Sequence, residues 1–315
     1  MKQKLVIGTR GSKLALWQAE HIASRLRELY PGLEVTLQRI MTTGDKILDV
    51  PLAKIGGKGL FTKELENAML NGEIDLAVHS LKDMPTQLPP ELVLAAVPIR
   101  TNPGDALISP VHRTLDKLPV GAKIGTSSLR RRAQLLHCRP DLQIVDLRGN
   151  LDTRLNKLET EKLDAILLAV AGLDRLGWGE RVTQVLPVDI CLPAVGQGSL
   201  AIEARAGDRE VLERLAGLED TATRQAVTAE RAFLTEVEGG CQVPVGVYAP
   251  PPDDSGQLAL TAVILSVDGQ RRVRDVISGP AEQADALGRE LAHRMLDAGG
   301  REILQEVFGS AVERL

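Results

Sequence analysis

Apolar and polar positions along this chain change period several times. Leu5, Val6 and Ile7 form a short apolar run that breaks at Gly8-Thr9-Arg10-Gly11-Ser12, after which Leu14, Trp17, Ile22, Leu26 and Leu29 recur at helical spacing. This predicts a buried strand turning into a helix, which Tyr30-Pro31-Gly32 stops. Leu33, Val35 and Leu37 alternate as a strand, residues 62–70 carry a helical pattern, and Ile74, Leu76 and Val78 alternate again. Such a βαβαβ order predicts a mainly parallel sheet covered by helices, with binding loops at the carboxyl ends of the strands.

A second unit repeats the pattern. Proline and glycine punctuate residues 98–110, notably at Thr101-Asn102-Pro103-Gly104, which reads as a crossing between domains. Lys123-Ile124 then leads into Gly125-Thr126-Ser127-Ser128 and a helix from Leu129, with further strands at 143–145 and 165–169. Ile7-Gly8-Thr9 and Ile124-Gly125-Thr126 occupy the same strand-to-helix corner, a three-residue echo. The connection at 193–199 is followed by the strand-like 200–204, which could carry the chain back to the first unit. From Glu219 a helix runs to Val237 with Ala226, Ala229, Phe233 and Val237 inward, and Gly239-Gly240 is its natural stop. Strands at 243–248, 258–267 and 273–277, an exposed loop at 250–256 and a closing helix at 281–296 suggest an α+β unit. The expected division is 1–99 with 200–217, then 100–199, then 218–315.

A length of 315 residues suits two or three such domains. With 38 Lys+Arg against 42 Asp+Glu the net charge is −4, which excludes a globally basic nucleic-acid binder or a polybasic membrane-surface protein, so any anion site is local. Aromatic residues are only 2%, too few for rows of base-stacking platforms. Cys138, Cys191 and Cys241 lie far apart with no C-x-x-C pair, indicating neither a disulfide framework nor a metal site and fitting a reducing compartment. The apolar run at 5–7 is too short for a signal-peptide core, and the longest run, 165–173, cannot span a bilayer. A cytoplasmic protein is expected.

Three constellations could carry chemistry. In the first, Thr126, Ser127 and Ser128 at a helix start are joined by Arg130, Arg131 and Arg132, with Arg10, Arg148 and Arg154 at neighbouring corners. Hydroxyls, free backbone N–H groups and guanidinium forks bind carboxylates or phosphates. The competing reading is a solvated helix face, and three consecutive arginines cannot share one face, which weakens Arg132. The loop at 56–59 is not a phosphate-binding Walker loop, because Leu52 and Gly59 stand where glycine and a hydroxyl residue are required. Nor does the corner at 8–12 have dinucleotide-loop spacing. The second constellation is His79-Ser80-Leu81-Lys82-Asp83-Met84-Pro85 at a strand end, where Asp83 suits general acid/base work or pairing with a developing cation, Ser80 and Lys82 grip a substrate, and the alternative is a turn cap. The third is Glu238-Gly239-Gly240-Cys241-Gln242-Val243-Pro244, which leaves the thiol sterically open. A preceding helix carboxyl end raises rather than lowers a thiol pKa, so a buried small residue beside a helix stop is the competing reading. A polycarboxylate-binding protein explains the arginines without Cys241, and a cysteine hydrolase needs a histidine that is not near it in sequence.

Together these segments resemble the porphobilinogen deaminase family of tetrapyrrole biosynthesis. The resemblance rests on Ile7 to Ser12 with Leu14-Ala15 and Gln18-Ala19, Lys58-Gly59-Leu60-Phe61, His79 to Asp83, Gly125 to Ser128 and Arg148-Gly149-Asn150. It continues through Ala169, Gly172, Leu173, Arg175 and Leu176, Pro193-Ala194 with Gly196-Gln197-Gly198, Glu230-Arg231-Ala232-Phe233, and Gly239 to Gly246. It implies a monomer with two α/β domains similar to the type 2 periplasmic-binding-protein fold and a smaller C-terminal α+β domain. It also implies one dipyrromethane cofactor bound as a thioether to Cys241. Four porphobilinogen molecules would lose ammonia and condense head to tail on that primer, and hydrolysis would release hydroxymethylbilane, with Asp83 as the catalytic group. The azafulvene left by loss of ammonia is electrophilic enough to alkylate an unactivated thiol. The expected cofactor contacts are Cys241, Lys82, Asp83, Thr126, Ser127, Ser128, Arg130, Arg131, Arg148, Gly172 and Gln197. The expected substrate contacts are Arg10, Ser12, Gln18, Lys54, Phe61, Ser80, Arg148, Arg154, Ala169 and Arg175. Hinges at 98–110 and 193–199 and a lid at 54–59 complete the expectations.

Overall fold

The structure is a computed structural model that describes residues 2–46, 59–237 and 243–312. In chain order the strands are Lys4–Thr9 (β1), Glu34–Arg39 (β2), Leu76–Ser80 (β3), Leu92–Ala96 (β4), Asp105–Ile108 (β5), Lys123–Gly125 (β6), Gln143–Val145 (β7), Ala165–Ala169 (β8), Gln184–Val185 (β9), Leu200–Arg205 (β10), Val245–Tyr248 (β11), Gln257–Leu265 (β12) and Arg272–Pro280 (β13). The helices are Lys13–Leu29 (α1), Thr43–Lys46 (α2), Lys63–Leu70 (α3), Leu129–Cys138 (α4), Leu151–Thr160 (α5), Val170–Arg175 (α6), Arg209–Leu215 (α7), Thr221–Glu236 (α8), Ala284–Met295 (α9) and Arg301–Val312 (α10). The chain divides into two compact units. The first takes Met1–Leu48, Gly57–Thr101 and Ser199–Arg224; the second is built chiefly from Asn102–Gly198 and Gln225–Leu315.

The first unit holds a five-stranded sheet in the order β2-β1-β3-β10-β4. β1 is parallel to β2 and β3, whereas β10 is antiparallel to both β3 and β4. The mainly parallel expectation is thereby corrected to a mixed sheet. The chain re-enters this unit beside the end of β3, where Leu200 faces Ser80, so the new strand has to run back along its neighbour. Ala19, Ile22 and Leu26 of α1 bury against Leu5, Ile7, Leu76, Val78 and Ile202 on one face. Leu65 and Met69 of α3 cover Ala77 and Leu92 on the other. Each fully buried aliphatic side chain of this kind contributes about 1.5–3 kcal/mol.

The second unit contains a five-stranded sheet ordered β7-β6-β8-β5-β9, in which β6 is parallel to β7 and β8 while β5 is antiparallel to β8 and β9. The succession of parallel and antiparallel pairs matches that of the first sheet. β5 lies inside the stretch read as a crossing, because Pro103-Gly104 masks the apolar run Ala106-Leu107-Ile108 that follows. The same unit holds the antiparallel ribbon β11-β12-β13, packed with α8 and α9 around Phe233, Leu260, Ile264 and Leu291. The closing helix continues past residue 296 through a π-turn, Leu296–Gly300, into α10. Buried Glu230 of α8 ties this region together, accepting from Gly196 N at 2.7 Å and Ala249 N at 3.0 Å.

The three-residue echo falls at equivalent places, the ends of the central strands β1 and β6. Both glycines are forced by close packing. A Cβ on Gly8 would lie 2.2 Å from Ile74 Cδ1, and one on Gly125 2.8 Å from Leu163 Cδ1. A serine caps the helix after each corner: Ser12 accepts from Ala15 N at 3.2 Å and Ser128 from Arg131 N at 3.4 Å.

Candidate functional site

In the first unit, the corner after β1 and the turn after β3 border one small cavity of about 60 Å³, lined by Arg10, Ser12, Gln18, Phe61, Ser80 and Asp83 among others. A single helical turn, Leu81–Asp83, follows β3. Leu81 and Met84 are buried and act as its anchors, while Lys82 is half-buried and Asp83 exposed. Leu81 N donates to Ser199 O at 3.0 Å and Met84 N to Leu81 O at 3.1 Å, so the backbone holding the carboxylate is fixed on both sides. Gln18 of α1 donates from Nε2 to Ser80 Oγ at 2.8 Å, which orients that hydroxyl.

Arg10 lies across the Phe61 ring, 4.2 Å from its centroid, and forks onto Asp45, which also accepts from Thr42 Oγ1 at 2.8 Å. Burial by itself would raise the Asp45 carboxyl, but the hydrogen bonds from Arg10 and Thr42 and the guanidinium charge outweigh it and hold the group below its ordinary range. Gly44 sits against the same ring, where a Cβ would lie 2.2 Å from Phe61 Cε1. Lys54 and the expected lid at 54–59, apart from Gly59, lie outside the described residues. A far roomier hollow is bordered by Lys2, Arg205 and Asp208, which are paired among themselves and with Asp75, Lys2 Nζ lying 2.8 Å from Asp75 and 2.9 Å from Asp208.

In the second unit the arginine run is divided. Arg130 and Arg131 are buried on Asp105, at 2.5 and 2.7 Å, and also donate to the carbonyls of Leu192 and Leu167. Gln197 Nε2 donates to Asp105 Oδ1 at 3.0 Å and Pro103 O at 2.7 Å, and the Cys191 thiol reaches Asp105 Oδ2 at 3.2 Å. Burial would push the Asp105 carboxyl up, but the two guanidinium groups hold it far below the usual carboxylate range. Cys191 is driven the other way, by burial first and then by Asp105, and stays a neutral thiol. Thr126 is buried and its Oγ1 accepts from Ser128 N at 3.2 Å, while Ser127 Oγ bridges Leu147 N and O at 3.0 Å each.

Half-buried Arg148 follows β7, and burial lowers its pKa. Buried Arg175 donates to Gly198 O at 2.7 Å, and burial brings it down to about 10. Arg154 Nε donates to Gly149 O at 2.8 Å, bracing a glycine whose φ of 112° disfavours any side chain. Ala169 ends β8 half-buried, and Gly172 is buried within α6.

The first unit thus brings Arg10, Ser12, Gln18, Phe61, Ser80 and Asp83 to one cavity, and the second gathers Arg130, Arg131 and Gln197 on one acid. Cys241 lies outside the described residues. Sequence reasoning passed over Asp45, Asp105 and Glu203. A signal existed for Asp105, an acid directly ahead of an apolar run. None existed for Asp45, which meets Arg10 only through the fold. Among the described residues no cluster of three or more His, Cys, Asp or Glu could hold a metal ion, and no helix is long and apolar enough to cross a membrane.

Comparison with known proteins gives two family matches. Residues 5–213 match "Porphobilinogen deaminase, dipyromethane cofactor binding domain" and residues 224–297 match "Porphobilinogen deaminase, C-terminal domain". The porphobilinogen deaminase of Desulforudis audaxviator is 56% identical over 311 residues, 99% of this chain and 100% of that one. That of Geotalea uraniireducens is 54% identical over 310 residues, 98% of this chain and 96% of its own length. Among solved structures, a putative methionine-binding lipoprotein from Bacillus subtilis is 13% identical, covering 69% of this chain and 90% of its own, with a TM-score of 0.41.

Proposed function

The chain belongs to the porphobilinogen deaminase family, and on that premise we propose that Asp83 is the carboxylate through which it deaminates four porphobilinogen molecules and joins them head to tail, giving hydroxymethylbilane. The observation that carries this reading is an exposed acid on a rigidly anchored turn, bordering a cavity with Arg10, Ser12, Gln18 and Ser80. Departure of ammonia from porphobilinogen leaves a cationic methylene-pyrrole, which a carboxylate near its ring N–H stabilises. Joining two rings releases a proton from the attacked carbon, and the same carboxylate is suited to accept it and pass it to the aminomethyl group of the next porphobilinogen, which then leaves as ammonia. Arg10 stacked on Phe61, with Ser12, Gln18 and Ser80, is the proposed grip on the substrate's acetate and propionate groups. Lys54, Arg148, Arg154, Ala169 and Arg175 complete the proposed substrate contacts.

The dipyrromethane primer of the matched family domain fits the donors of this chain. Burial lowers the pKa of Arg148 and Arg175, and a carboxylate beside either one would offset that effect. When bound, the primer would supply the free pyrrole carbon to which the first ring is joined, each later ring joining the one before it. Cys241 is the proposed attachment point. Lys82 and Asp83 in the first unit, and Thr126, Ser127, Ser128, Arg130, Arg131, Arg148, Gly172 and Gln197 in the second, are its proposed contacts. For Arg130, Arg131 and Gln197 a ligand carboxylate has to compete with Asp105, so their contribution is chiefly to fix the corner that bears the serines.

The reading further takes the ribbon-bearing region, 218–315, as a third domain and the chain as a monomeric cytoplasmic enzyme, which size-exclusion chromatography and cell fractionation check. The decisive experiment is intact mass under denaturing conditions with peptide mapping of Cys241. The expected excess is two porphobilinogen units less two ammonia, on that cysteine, with turnover lost in Asp83→Ala. A Cys241 that stays unmodified after incubation with porphobilinogen or hydroxymethylbilane would overturn the attachment, and full turnover in Asp83→Ala would remove Asp83 from the reaction.

A further inference from the structure

The strand that leads to Asp83 is held unevenly along its length. On one side its pairing with β1 stops at Gly8 with Ala77. Beyond that point the sheet pairing of β3 is, among the described residues, with β10 alone, in a ladder that runs from Leu76 with Ala204 to Ser80 with Leu200. Within this pairing His79 faces Ala201 and Glu203 faces Ala77. Both alanines are fully buried, and their small side chains leave the space in which His79 and Glu203 meet on the diagonal. His79 Nε2 lies 3.1 Å from Glu203 Oε2, with the two side chains 5% and 0% exposed. Ser80 points to the opposite face, where Gln18 holds it. The last two residues of β3 are therefore clamped once from each side, immediately before the turn that carries Lys82 and Asp83.

The arrangement is poor as a device for stability. Glu203 Oε1 has no hydrogen-bond partner among the described residues, and neither has Oε1 of buried Glu66 on α3. Glu66 interacts electrostatically with Glu203; burial first, then Glu203 and Glu64, push its carboxyl up against the opposing effects of Thr62 and His79. Replacing a buried ion pair with apolar residues of similar size is often neutral or stabilising. One member of the pair, His79, borders the same cavity as Asp83.

We propose that Glu203 is a positioning residue for Asp83. It fixes the His79 ring and so locks the end of β3 in the pose that presents Ser80, Lys82 and Asp83. The proposal rests on the reading of Asp83 as the reacting carboxylate. A misplacement of about 1 Å at a reacting group costs rate rather than affinity, so Glu203→Leu in the holoenzyme should lower kcat about tenfold or more while the KM for porphobilinogen stays within about twofold. Because the buried His79 ring loses its acceptor, the variant is expected to melt somewhat lower, and kcat is therefore read per folded molecule well below that transition. Glu203→Gln, whose amide oxygen still accepts from His79, should recover kcat to within about threefold of the parent. A parental kcat in Glu203→Leu, or a rate loss that only follows the folded fraction, would overturn the proposal. If Glu203→Leu does not fold, His79→Leu, which removes the donor from the other side, is measured in its place against the same two outcomes. Asp83→Ala in the same assay separates the premises: turnover there sinks the reading of Asp83 itself, whereas an inactive Asp83→Ala beside a fully active Glu203→Leu sinks only the positioning role.

Discussion

At Gly8-Thr9 and at Gly125-Thr126 a central strand ends against close-packed neighbours and passes into a serine-capped helix, yet the arginines that follow meet different fates. Arg10 reaches an acid on a short helix, is stacked on Phe61 and borders a cavity. Arg130 and Arg131 turn inward onto Asp105 at the start of β5 and are buried with it. Backbone and capping chemistry are shared, so the difference lies in where the fold puts the acid. An arginine at such a corner is a candidate ligand group when its partner acid is near solvent, and a structural cation when that acid is inside.

The sharpest way to break this contrast is to take the acid from the buried side. Asp105→Asn leaves two buried guanidinium groups uncompensated and is expected to cost about 3–5 kcal/mol of stability, read from urea unfolding. Asp105 is held below its ordinary value, so its stabilisation is present above the usual carboxylate range of about pH 4 and is lost as the pH falls through the depressed folded value. The unfolding free energies of parent and variant should therefore converge in acid. On the other side, Asp83→Ala should lower turnover by about 10²-fold or more with little change in the urea midpoint, because the side chain is exposed.

A smaller effect compares the two glycines directly. Gly8→Ala and Gly125→Ala should each destabilise by about 1–3 kcal/mol, and Gly8→Ala by more, since its Cβ would come within 2.2 Å of a side-chain carbon against 2.8 Å. The smallest is Asp45→Asn, for which a loss under about 1 kcal/mol is expected from a partly exposed pair. Its effect should appear instead as a change of a few-fold in the KM for porphobilinogen, measured on the holoenzyme. An Asp45→Asn variant as unstable as Asp105→Asn would erase the distinction between the corners.

Much of this was legible in the residue pattern, because strands and helices that bury one face leave a periodic trace. The helix at 13–29 and the strand at 165–169 were readable in this way, and so was a strand ahead of Asp83, expected at 74–78 and found at 76–80. Direction was not: β10 reads as a strand from its apolar alternation, but nothing in Leu200 to Arg205 says that it runs against β3. The partners of the arginines were not legible either. Arg130 and Asp105 are 25 residues apart and His79 and Glu203 are 124 apart, distances over which only the folded chain decides who meets whom.

The return strand has a consequence for how the protein is made. Among the described residues β4 pairs with β10 and with no other strand, and β3 depends on β10 for its far edge. A ribosome that has delivered the first hundred residues has released strands whose shared neighbour is not yet translated. The second sheet uses strands from Asp105 to Val185 and can close while the first is still waiting for Leu200–Arg205. Of the two five-stranded sheets the one begun first is completed second, and during that interval the unpaired edges of β3 and β4 are open to mispairing or to a chaperone.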